Sequence, residues 1–128
     1  MLYDHVDLRV SDPASVRALY DVLMAALGYP VASEDPESVC WYAPGDQKGR
    51  AFFGIVRDAS HRPNGTRVCF RADSREDVDR LAAIAREAGA KAFEPAHLCE
   101  EYTPSYYATF FEDADGNKLE ICYRSEAS

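Results

Sequence analysis

A strand-like phrase followed by a capped helix occurs twice in this chain, and that recurrence limits the folds open to it more than any other feature. "YDHVDLRVSD", Tyr3 to Asp12, alternates polar and apolar residues with the period of two expected of a strand covered on one face. Ser11 and Asp12 before Pro13 supply an N-cap with proline at the first helical position; apolar residues then recur at helical spacing through "ASVRALYDVLMAAL", and Gly28 ends the run. "GTRVCFRADS", Gly65 to Ser74, repeats the phrase, with Asp73 or Ser74 capping "REDVDRLAAIAREA" and Gly89 standing where Gly28 stood. Three more strand-like runs follow each helix. In the first half they are "YPVAS", "SVCWYA" and "RAFFGIVRD", separated by an acidic turn around "EDPE" and by the loop "PGDQKG". In the second half they are "AKAFEPA", "YYATFFEDA" and "NKLEICYR", the last two joined by the turn "DADGN".

An offset of about 62 residues matches Val6 with Val68, Leu8 with Phe70, Arg9 with Arg71, Val16 with Val78 and Leu19 with Leu81. The chain therefore reads as a single α+β domain, residues 1–128, built of two βαβββ units at 3–58 and 65–124. One unit alone would leave a sheet face uncovered, so two plausibly complete a shared structure. At 128 residues a core is available without covalent staples.

Composition excludes several function classes. No apolar run approaches the ~20 residues of a membrane span, and "MLYDHVDLRV" has neither the basic start nor the apolar centre of a signal peptide, so a soluble cytoplasmic protein is expected. A formal charge of −8 argues against nucleic-acid and anionic-membrane binding, which need clustered positive charge. Cys40, Cys69, Cys99 and Cys122 show no CxxC or CxH grouping, lack the local spacing of a zinc site, and read mostly as buried reduced thiols.

Paired βαβββ units, His5 in the opening strand and "YTPSYYATFFEDADGNKLEI" near the end together resemble the vicinal oxygen chelate superfamily, which includes glyoxalase I, extradiol dioxygenases, and the fosfomycin and bleomycin resistance proteins. The resemblance covers nearly the whole chain, and its most specific part is a DxDGN turn followed by a glutamate in the terminal strand. It implies a curved mixed sheet forming a cup, or two half-barrels, with helices on the outer face and a small-molecule ligand inside. It also implies a homodimer. Alternation fits this picture: Val6, Leu8 and Val10 form an apolar face fit to meet a helix, as do Val68, Phe70 and Ala72. His5, Asp7 and Arg9, then Arg67, Cys69 and Arg71, then Glu120, Cys122 and Arg124 fall on the opposite, cavity-facing side.

In the metal-dependent members four ligands come from the first and fourth strands of each unit. His5 and Glu120 match two of these positions, an incomplete set. Arg67 stands in place of the second histidine, and nothing from Ala51 to Val56 can ligate through a side chain. A guanidinium has no lone pair to donate and carries a charge that repels the ion. The expectation is accordingly a metal-free site without cofactor, the alternative being a divalent Zn, Ni, Mn or Fe centre. In the metal-free form Arg67 pairs with Glu120, and His5 hydrogen-bonds beside them. The functional version of that arrangement makes His5, Glu120 and Arg67 the catalytic candidates, and the bland version makes them a satisfied polar network. Arg9, Trp41, Phe52, Arg71, Tyr102, Tyr106 and Tyr107 are the ligand-binding candidates, with Trp41 also readable as core and the tyrosines as packing and an amphipathic rim. His97 reads as a solvated surface residue and His61 as part of the linker. Three functions follow from the resemblance: a metal-independent small-molecule binder, a lyase of glyoxalase type or related dioxygenase, and a non-catalytic protein with a filled cavity.

Overall fold

The computed structural model describes residues 2–45 and 51–125, so most of the "PGDQKG" loop lies outside the described residues. The elements in chain order are β1 (His5–Val10), α1 (Pro13–Ala26), β2 (Val31–Asp35), β3 (Ser38–Tyr42), β4 (Phe52–Arg57), β5 (Arg67–Arg71), α2 (Arg75–Glu87), β6 (Lys91–Leu98), β7 (Tyr107–Glu112) and β8 (Lys118–Tyr123). They divide into two compact units, Met1–Arg62 and Pro63–Ser128. Among the described residues no helix is long and apolar enough to cross a membrane.

In the first unit α1 begins where the sequence places a cap. The Asp12 carboxylate accepts from the Ala14 backbone N–H at 3.2 Å and from the Ser15 hydroxyl at 2.9 Å, and Pro13, which has no N–H to satisfy, opens the first turn. The helix buries Val16, Leu19, Tyr20, Leu23 and Met24 and lies on β3 and β4. The sheet order is β1-β4-β3-β2, with β1 and β4 parallel and the remaining pairs antiparallel. A parallel pair cannot be closed by a hairpin, so the chain must leave β1, pass through the helix and two further strands, and return beside it. The acidic turn between β2 and β3 is held by Asp35, which accepts from the Glu37 and Ser38 backbone N–H groups at 2.8 and 2.9 Å.

The second unit repeats this order as β5-β8-β7-β6, again with the first and last strands parallel. Of the two candidate caps for α2 the structure uses Ser74, whose hydroxyl accepts from the Asp77 backbone N–H at 3.0 Å. Val78, Leu81, Ala82 and Ala85 turn inward, and α2 lies on β6, β7 and β8 over Leu119 and Ile121, both fully buried. Fully burying a side chain of that size contributes about 1.5–3 kcal/mol. The fold is thus α+β with two four-stranded mixed sheets and one helix in each unit.

The "DADGN" turn between β7 and β8 is built around a buried carboxylate. Asp113, 1% exposed, accepts from the backbone N–H groups of Asp115 and Asn117 and from the Asn117 side-chain amide, at 2.9, 3.0 and 2.9 Å. Gly116 has φ of +83°, and a Cβ there would fall 2.7 Å from Cγ of Pro63. Gly89 at the end of α2 has a similar φ of +92° but faces open space. Replacing Gly89 by alanine therefore incurs only the left-handed penalty of about 1–2 kcal/mol. Gly116→Ala adds the clash, and in urea unfolding it is expected to cost measurably more than Gly89→Ala; equal losses would show that Pro63 yields freely.

Candidate functional site

Each sheet has one face covered by its helix and one face turned away from it, and the residues expected to carry chemistry sort between the two. In the first unit the β1–β4 register places His5 beside Phe52, Asp7 beside Gly54 and Arg9 beside Val56. His5 is stacked on Phe52, ring centroids 4.8 Å apart and planes within 14°, and Phe52 in turn meets Tyr42 at 5.6 Å. The imidazole Nδ1 lies 2.8 Å from the Asp4 carboxylate, and Nε2 is 3.9 Å from that of Asp7. Trp41 is elsewhere. It is 1% exposed on the helix side, against Tyr20 and Phe53, and its indole N–H donates to Asp21 of α1 at 2.9 Å. The alternation of β3 puts Val39 and Trp41 under the helix, which corrects the reading of Trp41 as a ligand-binding residue.

Gly54 is the first-unit counterpart of Glu120, because each lies opposite the third residue of its unit's opening strand, Asp7 in one case and Cys69 in the other. A Cβ at Gly54 would meet the Asp7 carboxylate, the Cys40 thiol and the Phe52 ring, each at 3.2 Å. That is tighter than ordinary van der Waals contact, so a side chain at this position needs its neighbours to give by a few tenths of an ångström. With Arg67 likewise standing in place of the second histidine, the residues present do not fit the four-ligand divalent centre of the metal-dependent relatives.

In the second unit the β5–β8 register sets Arg67 beside Lys118, Cys69 beside Glu120 and Arg71 beside Cys122. Glu120 is 6% exposed and accepts from the Tyr106 hydroxyl at 2.5 Å. The expected pairing of Arg67 with Glu120 is not formed among the described residues: the guanidinium carbon lies 5.0 Å from the centre of the Phe110 ring, a cation–π arrangement. Phe110 directly neighbours Glu120 across β7 and β8, so cation, ring and carboxylate still share one face. Cys99, Ala108 and Phe110 form a small buried cluster against which Tyr106 and Cys122 pack. Tyr102, 57% exposed, meets Tyr106 edge-on at 5.0 Å. Tyr107 belongs to the other face. Its hydroxyl donates to Asp79 at 2.6 Å and the Arg75 guanidinium covers its ring, both partners being on α2, which corrects its reading as a ligand-binding residue. His97 hydrogen-bonds the Pro95 carbonyl at 2.9 Å.

The sequence reading of the cysteines also needs correction. Of the four, only Cys99 is fully buried; Cys69 is exposed, and Cys40 and Cys122 are half-buried. The two strand cysteines, Cys69 and Cys122, are brought to one face beside Glu120, and their Sγ atoms and a Glu120 carboxylate oxygen all lie within 4.8 Å of one another. Their hydrogen bond splits their acidities. The Cys69 S–H stabilises a thiolate on Cys122 and pulls it down to about 6 against burial and the Glu120 charge. Cys69 is pushed far up, first because it is the donor and then by desolvation among its neighbours, although the residue as a whole is exposed. Burial, and next its bond to Glu120, likewise raises the Tyr106 phenol well beyond its usual range.

A family model described as "Glyoxalase/Bleomycin resistance protein/Dioxygenase superfamily" matches residues 2–121. Similar solved structures include a glyoxalase/bleomycin resistance protein of Albidiferax ferrireducens, 24% identical over 97% of this chain and 100% of that one, with a TM-score of 0.79. A putative glyoxalase of Bacillus halodurans is 25% identical over 95% of each chain, with a TM-score of 0.68. The genomically encoded fosfomycin resistance protein of Listeria monocytogenes is 16% identical over 99% of this chain and 96% of that one, with a TM-score of 0.69. Comparison with curated proteins finds no match.

The thiol pair makes a direct prediction. Because the thiolate is the species that alkylates, modification of Cys122 by iodoacetamide should rise with pH about a midpoint near 6. Removing the donor with Cys69→Ser should move that midpoint up toward the ordinary thiol value of about 8.5. Peptide mapping after timed alkylation reads both, and an unchanged midpoint in the variant would exclude Cys69 as the cause.

Proposed function

Because the chain belongs to the glyoxalase/bleomycin resistance protein/dioxygenase superfamily, we propose that it binds a small organic molecule and does so without the four-ligand divalent centre of the metal-dependent members. The observation that carries this reading is Gly54, which offers no side chain where a fourth-strand ligand would stand and is approached closely by the Asp7 carboxylate, the Cys40 thiol and the Phe52 ring. Arg67 in place of the second histidine supports it, since a permanent cation disfavours a nearby divalent ion.

The second unit's helix-free face supplies the recognition chemistry. Arg67, over the Phe110 ring, presents guanidinium N–H groups suited to a carboxylate or carbonyl oxygen. Exposed Tyr102, held edge-on by Tyr106, offers a surface for a planar group. Within the first unit, the His5–Phe52–Tyr42 stack is an aromatic surface of its own. On this reading the protein is a binder of oxygenated, partly planar metabolites, acting as a dimer as the resemblance implies.

Screening a panel of small aromatic and aliphatic carboxylic acids by thermal shift tests the reading. A ligand at a hundredfold excess over its Kd stabilises by about 2.7 kcal/mol, a rise on the order of 10 °C for a chain of this size. Arg67→Ala should abolish the shift, whereas His5→Ala should leave both the metal content and the metal response of the melting temperature unchanged. Stoichiometric nickel, manganese or iron lost on replacing His5 would overturn the metal-independent reading. Turnover of a bound panel member would replace binding by catalysis.

A further inference from the structure

We propose that Cys69, Glu120 and Cys122 form a second-unit site for a thiophilic divalent ion of the zinc class, with Tyr106 as the positioning residue for Glu120. This inference does not rest on the ligand-binding reading above, and His5 has no part in it.

The geometry assembles the donors from two adjacent strands of one sheet. Cys69 lies opposite Glu120 in the β5–β8 register, and Cys122 follows Glu120 by two residues on the same face. Their donor atoms fall within 4.8 Å of one another. Around tetrahedral zinc, with Zn–S of about 2.3 Å and Zn–O of about 2.0–2.2 Å, ligand atoms stand roughly 3.3–3.8 Å apart. Closing the set onto an ion therefore takes side-chain movements of about 1 Å, within the reach of rotamer adjustment. Glu120 has one oxygen held by the Tyr106 hydroxyl at 2.5 Å, the kind of outer hydrogen bond that orients a ligating carboxylate.

The same register disfavours a disulfide as the purpose of the pair. Strands about 4.8 Å apart with a rise of about 3.3 Å per residue put Cα atoms offset by two positions roughly 8 Å apart. Two cysteines more than about 7 Å apart cannot be bridged without backbone movement, whereas an ion between them needs only that the thiols lean together. Charge also favours an ion. Two thiolates and a carboxylate carry three negative charges, which a divalent ion reduces to one, while the nearby Arg71 and Arg124 guanidiniums work against the ion. Cys69 is exposed, so the fourth coordination position opens outward, to water or to a donor atom of a ligand.

Cobalt(II) and zinc(II), each added alone to the reduced full chain, test the site. Cobalt should bind with one ion per chain and show thiolate-to-cobalt charge-transfer absorption, and zinc should displace it. Cys69→Ser and Cys122→Ser should each lower zinc affinity at least tenfold, and the double variant should remove the absorption, while Cys40→Ser and His5→Ala leave both unchanged. Tyr106→Phe should weaken binding about tenfold, as outer-sphere changes do, yet keep the charge-transfer intensity per bound ion, because both thiolates remain. Far-ultraviolet circular dichroism of each variant confirms folding. Failure of the folded wild type to bind, binding without the charge-transfer band, or affinity indifferent to Cys69 and Cys122 would overturn the proposal. Loss of binding on replacing His5 would overturn it together with the metal-independent reading of the family site.

Discussion

The parallel pairing of the first and last strands within each unit is the constraint on which the rest of the structure depends. In the second unit it joins β5 to β8 with Cys69 opposite Glu120, and every other feature of that face follows from the match. Because side chains alternate strictly, a one-residue slip of β8 would bring Leu119 and Ile121 out from beneath α2 and drive Glu120 under the helix. That exchange would strip apolar area from the core and bury a carboxylate away from Tyr106. The register that builds the core is therefore the register that builds the site.

What could be read from the amino-acid order follows the same division between local and distant physics. The caps at Asp12 and Ser74, the glycines that end the helices and the Asp113-centred turn are decided by groups a few residues apart, and each is legible directly. The faces of β1 and β5 are legible too, since clean alternation survives in both. Trp41 and Tyr107 mislead because a ring with a polar atom suits a helix-covered face as well as a ligand wall: the indole N–H donates to Asp21 of α1 and the phenol to Asp79 of α2. The Cys69–Cys122 approach was beyond a search for local spacing. Those residues lie more than fifty positions apart, and only the parallel return of β8 brings them side by side. Their shared parity on the first and last strands of one unit was the available signal. Arg67 shows the remaining limit: its face was legible, but not its choice of the Phe110 ring over the Glu120 carboxylate.

Comparing equivalent positions shows that the two units, though alike in topology, divide the chemistry unequally. Asp7 and Gly54 in the first stand where Cys69 and Glu120 stand in the second. In the first unit the missing side chain at Gly54 lets Asp7, Cys40 and Phe52 converge over the backbone. In the second, a carboxylate projects into the equivalent space and must be satisfied, which Tyr106 does. The soft donors accordingly concentrate in one unit, and the other is left with an aromatic stack around His5.

That inequality bears on what kind of chemistry the fold can support here. Activation of two neighbouring substrate oxygens needs an ion with strong residual positive charge and two open positions. Two thiolates and a carboxylate would over-neutralise a divalent ion and leave one open position, a weak Lewis acid suited to holding a ligand donor or a fixed geometry rather than to polarising a chelated substrate. The electrophile on this face is then the guanidinium of Arg67, which stabilises negative charge through N–H donors and needs no metal to do so. An ion beside Glu120 and a cation over Phe110 would then have separable roles, the ion proposed to fix the β5–β8 face and the guanidinium proposed to meet the ligand.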